Sequence, residues 1–193
     1  MKNIFSILVL GILTVGWMGC ATNSEKKSET PATPAASSSQ PMNHQMSLKD
    51  LSSQSPQTGP EEMIQWFEKC SIECKGEDQK ISSSFAKGYR ILFELSTAQP
   101  VYEKLTKAQK KKAEEGKDYI RKAFLTVLET QTDADMIMTA WGTLADPESD
   151  YKLADKKLKP AVEKTIKRLS ADEATKKLSQ DLANQYKARF QIK

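Results

Sequence analysis

From residue 60 onward, apolar side chains recur every three or four positions. Ile81, Phe85, Tyr89, Leu92 and Leu95 are spaced four, four, three and three, which is the stripe of an amphipathic helix over about residues 80–97. An earlier helix is expected to open at Gly59–Pro60, with Pro60 first and Glu61 and Glu62 in the first turn, both features of a helix N-terminus. Its apolar face is Met63, Phe67, Cys70 and Cys74, flanked by Ile64 and Trp66. A third helix starts near 101 or 107 and ends near 130. Its first half is almost entirely polar, and Tyr119, Ile120, Ala123, Phe124, Val127 and Leu128 make the face of its second half, with Gly116 a candidate interruption.

A fourth helix, about 133–145, carries Met136, Ile137, Ala140, Trp141 and Leu144, with Asp133, or Thr132 with Asp135, as its cap. Asp146–Pro147 reads as the N-cap and first position of a fifth, with Leu158, Val162, Ile166 and Leu169 inward and Pro160 kinking or splitting it. Ser170-Ala-Asp-Glu173 has the spacing of a capping box before a sixth, whose face is Ala174, Leu178, Leu182, Tyr186 and Phe190. No alternating run flanked by hairpin turns stands out. The expected fold is all-α: five to seven amphipathic helices in a bundle or short helical array over residues 60–193. That length supplies a core without a metal or disulfide staple.

The pattern upstream is different. After Lys2, Ile4–Met18 is an uncharged apolar run of fifteen residues. A spanning helix needs roughly 20 such residues, so the run fits the hydrophobic region of a signal peptide over residues 1–19. An uncleaved anchor helix or an ordinary secretory signal are the alternatives, and all three export the rest of the chain. Residues 20–59 are dominated by Ser, Thr, Pro, Ala and Gln, too sparse in apolar groups to offset the entropy of ordering, which predicts a disordered tether. As a flexible coil, about forty residues span on the order of 30–40 Å.

Chemistry is constrained by what the helical part lacks. The single histidine, His44, lies in the tether, so Ser-His-Asp or Cys-His catalysis is not expected. No phosphate-binding loop or HExxH is present. Two cysteines without a histidine do not make a zinc site, which wants three or four such ligands. No catalytic residue, metal or other cofactor is therefore expected.

The whole chain carries a net +4. Its basic residues gather at Lys104–Lys112, densest at Lys110, Lys111 and Lys112, and from Lys152 to Arg168, including Lys156, Lys157 and Lys159. With no aromatic residue between the lysines, nucleic acid is not the expected partner. The six named lysines are candidates for contact with an anionic surface, such as lipid headgroups, lipopolysaccharide or an acidic protein. The competing account is a solvated surface balanced by helical pairs such as Glu163–Lys167 and Asp172–Lys176.

Gly19-Cys20 at the end of the apolar run resembles the lipobox of bacterial lipoproteins, with Trp17 and Met18 standing where that family prefers Leu and a small residue. The resemblance implies cleavage before Cys20, lipid on that cysteine, and Cys20 as the mature N-terminus. Ala21, where Asp would signal inner-membrane retention, points to the outer membrane. A second, local resemblance covers nine residues, Ala140 to Glu148. Ala-Trp-Gly-Thr-Leu-Ala-Asp-Pro-Glu looks like the turn between helices of HEAT-type repeats, although no second copy occurs at a repeat period.

Export changes the reading of Cys70 and Cys74. Outside the cytoplasm a pair of nearby thiols oxidises, and with Cys20 lipidated these two have only each other. Cβ atoms at i and i+4 of a regular helix are about 5–6 Å apart, whereas a disulfide wants about 3.5–4.5 Å. A bond therefore requires the first helix to end or distort near Ile72; a helix regular to Lys75, with Gly76 as its terminal glycine, would leave thiols. The disulfide is the expectation. The functional expectation is a membrane-anchored envelope lipoprotein with a non-enzymatic helical interaction or scaffold domain. The alternative is a periplasmic carrier holding a lipid or small apolar ligand between helices.

Overall fold

The computed structural model describes residues 59–191. The expected signal peptide and tether, with Cys20 and His44, fall before residue 59 and so lie outside the described residues. Within them are six α-helices and no β-strand: α1 Pro60–Glu73, α2 Gly76–Ala98, α3 Lys107–Thr130, α4 Ala134–Ala145, α5 Asp155–Ser170 and α6 Lys176–Phe190. The all-α expectation and the helix count agree with this. None of these helices is long and apolar enough to cross a membrane.

The first three helices pack as an antiparallel layer. Arg90 of α2 grips Glu68 of α1 through both carboxylate oxygens, at 2.8 Å each from Nη2. Phe67, Phe85, Tyr89 and Phe124 bring α1, α2 and α3 together in one aromatic cluster, with Phe85 edge-on to Phe124 at 4.9 Å between centroids. The packing of α2 on α3 is the most extensive in the fold. It is close because glycines meet there: a Cβ on Gly88 would stand 2.6 Å from Ile120 Cγ1 and 2.7 Å from the Gly116 carbonyl oxygen. Gly116 does not interrupt α3. It lets α2 approach it.

α5 and α6 form a second antiparallel pair, held by Leu158, Val162, Leu169, Leu178 and Leu182 and by Ser179 Oγ donating to the Ile166 carbonyl at 2.9 Å. α4 bridges the two parts: Ile137, Ala140 and Leu144 are fully buried, and Trp141 meets Tyr186 and Phe190 of α6. The C-terminus of α3 is closed by α5. Arg168 Nη2 donates to the carbonyls of Leu128 and Gln131 at 3.0 and 2.6 Å, and Thr165 Oγ1 donates to Leu128 at 2.9 Å. A cation at a helix C-terminus satisfies orphan carbonyls and complements the dipole.

Four local expectations are corrected. Asp146–Pro147 does not start a helix. Asp146 Oδ1 accepts from the Glu148 N–H at 2.8 Å, and the Leu153 N–H returns to the Leu144 carbonyl at 2.9 Å. That fold-back buries Tyr151, so residues 146–154 are turns and α5 begins at Asp155. Of the two effects expected of Pro160, splitting is excluded: α5 runs through it to Ser170. Ser170 is not the sixth helix's cap: its hydroxyl donates backward to the Lys167 carbonyl, and Asp172 caps a short 3₁₀ turn, Glu173–Thr175, that precedes α6. Ala174 is consequently exposed rather than part of the α6 face.

Candidate functional site

Cys70 and Cys74 lie at the end of α1, with both side chains buried and their sulfurs at disulfide distance. The helix ends at Glu73, close to Ile72, where a bond was expected to require it. The Cys74 N–H still donates to the Cys70 carbonyl at 2.8 Å, but Cys74 itself turns extended, with ψ 164°. The Cα atoms are 5.1 Å apart, inside the range a disulfide accepts. Gly76 is not the terminal glycine of α1. It opens α2 with φ +64°, a left-handed conformation open to glycine at no steric cost. The bridge therefore fixes a tight turn between two helices. Ile72, inside its loop, is 79% exposed.

A second cluster sits where residues 146–154 cross α3. The Lys117 ammonium is 2.9 Å from Glu114 and 3.8 Å from Asp150 and lies over the Tyr102 ring at 5.1 Å from its centroid. Arg121 pairs with Asp118 at 2.6 Å and donates to the Asp150 carbonyl at 3.1 Å. Burial pushes the hydroxyls of Tyr89 and Tyr151 well above their ordinary range; for Tyr151, Tyr89 and Asp150 add to the rise and Arg121 opposes it. These charges are mutually paired, and the cluster pins the 146–154 turn to α3. Among the described residues no group of three or more His, Cys, Asp or Glu could hold a metal ion.

The basic residues divide into two separate regions. Lys110, Lys111 and Lys112 lie in the first turns of α3. α5 instead meets the C-terminal half of that helix through Thr165 and Arg168. Lys110 donates to the Glu103 carbonyl at 3.3 Å, Lys112 pairs with Glu94 at 3.3 Å, and Lys111 is exposed. On α5, Lys159 leans over the Phe190 ring, 4.6 Å from its centroid, while Lys156 and Lys157 are exposed.

The balancing pairs anticipated for this region are not the ones that form. Glu163 accepts from the Tyr186 hydroxyl at 2.5 Å instead of meeting Lys167. That bond, then burial, then the Glu163 charge push Tyr186 up to about 12. Lys176 pairs with Glu173 at 3.0 Å rather than with Asp172. Asp155 is 3.8 Å from Arg189 of α6. Both acidic residues of α5 are thus engaged with α6, and Lys156, Lys157, Lys164 and Lys167 make no ion pair among the described residues. Lys164 and Lys167 belong to the basic region seen in the sequence. Their isolation depends on where Glu163 and Asp155 point, which spacing alone does not give.

No protein-family model, curated protein or solved structure matches the chain.

Proposed function

We propose that this is a bacterial envelope lipoprotein, lipidated on Cys20, carrying a non-enzymatic helical interaction domain at the end of a disordered tether. The observation that carries the reading is the uncharged apolar run Ile4–Met18 ending in Gly19-Cys20, followed at once by polar, low-complexity sequence. Several acyl chains on one residue exceed the two signals that stable anchoring needs. Ala21 after the cysteine favours the outer membrane. Disulfide distance between Cys70 and Cys74 fits an oxidising compartment.

The packing favours an interaction domain over a carrier. Ile64, Ile81, Leu92, Ile120, Leu128, Ile137, Leu144 and Leu158 are fully buried and fill the interior. Among the described residues, one depression of about 170 Å³ is lined by Glu115, Asp118, Tyr119 and Lys122, all on α3. Ligand pockets generally start at about 300 Å³. In-cell crosslinking of the tagged full-length protein tests the reading. It is expected to trap a defined envelope component, with the yield falling when Cys20→Ser removes the anchor. A co-purifying apolar small molecule, with no specific envelope component trapped, would overturn it.

A further inference from the structure

We propose that the outer face of α5, formed by Lys156, Lys157, Lys164 and Lys167, docks the domain onto anionic phospholipid headgroups of the membrane that holds its N-terminus. The proposal rests on the lipoprotein reading above. It begins from an imbalance within one helix. Leu158, Val162, Thr165 and Leu169 point into the core. Lys159 leans onto Phe190 of α6 and Glu163, although exposed, is held by the Tyr186 hydroxyl, and Arg168 turns toward α3. What remains outward is Lys156, Pro160, Lys164 and Lys167, spaced four, four and three, with Lys157 one turn-face beside Lys164; all five are exposed. The stripe is about 16 Å long at 1.5 Å per residue.

Two of its four lysines oppose the dipole of the helix that carries them, whereas Lys167, in the last turn, agrees with it. Lys156 and Lys157 occupy the first turn of α5, where the helix dipole disfavours positive charge. Neither is offset by an ion pair among the described residues. Asp155 is the one acidic residue in that turn, and it is 3.8 Å from Arg189 of α6, so two cations stand there against a single shared carboxylate. No large hydrophobic residue is exposed on α5; among the described residues the exposed one is Ile72 of α1. Adsorption through α5 would accordingly be electrostatic and peripheral rather than by insertion.

Charge and reach identify the occupant. Lysine ammonium groups are compact point charges that do not demand the planar, bidentate partner arginine prefers, and they suit a laterally fluid array of phosphates. A lipid on Cys20 would put that array within reach, since a flexible coil of about forty residues would span on the order of 30–40 Å. Tethering makes the docking intramolecular, so individually weak contacts suffice. Each lysine near an anionic bilayer shifts the docking equilibrium about fivefold, and the effect is screened by salt.

The test uses full-length lipidated protein reconstituted into vesicles of phosphatidylcholine alone or mixed with phosphatidylglycerol. Acetylation rates of individual lysines are read by mass spectrometry. Lys156, Lys157, Lys164 and Lys167 should react about fivefold or more slowly in the anionic vesicles and recover at high salt. Lys75 and Lys111 should keep their rates in both. Equal rates at the four lysines, in protein that stays on the vesicles through a high-salt wash, would overturn the docking and leave the anchor standing. Protein that washes off neutral vesicles would overturn the anchor, and the docking with it. Protection appearing only when an acidic envelope protein is added would also overturn it.

Discussion

At Gly88 the backbone of α2 comes so near α3 that a methyl group has no room. Gly88→Ala would place its Cβ within 2.7 Å of a backbone carbonyl that cannot swing aside. The variant is expected to lose about 1–3 kcal/mol, read as a lower urea midpoint. Gly142 makes the opposite case, since a Cβ there meets nothing within 4 Å and the residue is exposed in α4. Gly142→Ala should gain about 0.5–1 kcal/mol from helix propensity alone. Equal effects at the two sites would contradict the close crossing of α2 and α3. Tyr186 gives a pH signature. Its pKa is raised to about 12 by the hydrogen bond to Glu163, by burial and by the carboxylate charge, against about 10 when unfolded. The folded state therefore holds a proton that the unfolded state releases, and stability present below pH 10 is lost as pH rises towards 12. Urea melts across that window should show a shallower decline for Tyr186→Phe than for the wild type; identical slopes would remove Tyr186 from the account.

The elements themselves were largely legible. Ile81-Phe85-Tyr89-Leu92-Leu95 and Leu178-Leu182-Tyr186 fall on the buried faces that their spacing predicts, because an amphipathic helix writes its core contact into a 3.6-residue period. Boundaries were less legible where a tertiary contact overrides local chemistry. Asp146–Pro147 suits a helix start, yet burying Tyr151 and closing the Leu153–Leu144 hydrogen bond requires turns there. Thr106-Lys-Ala-Gln109 is a capping box that opens α3. Its sequence signature was present, but it was overshadowed by the polar run around it. The charged network of Lys117, Arg121 and Asp150 has no sequence signature, since it depends on where a turn crosses a helix. The same holds for the cap that α5 supplies to α3. Arg168→Ala would leave the Leu128 and Gln131 carbonyls without that donor and should cost about 1–3 kcal/mol. Hydrogen exchange should show it as faster opening of the last turn of α3. Unchanged exchange there would mean that Thr165 alone closes the helix.

For the whole molecule, most ion pairs of the described residues lie within α1–α3 and the turn that crosses α3, while Lys156, Lys157, Lys164 and Lys167 of the terminal hairpin face outward without one. A tethered domain of this kind would have two attachments to one membrane, a permanent lipid and a salt-sensitive helix face, and would be free to present α1–α4 to a partner. That arrangement stands on the N-terminal cysteine. The most direct measurement is mass spectrometry of the N-terminal peptide of protein extracted from bacterial membranes. The account predicts a chain beginning at Cys20, with lipid on its sulfur and its amine, and no residue from the preceding apolar run. A mature chain that begins elsewhere, or an unmodified Cys20, would contradict it.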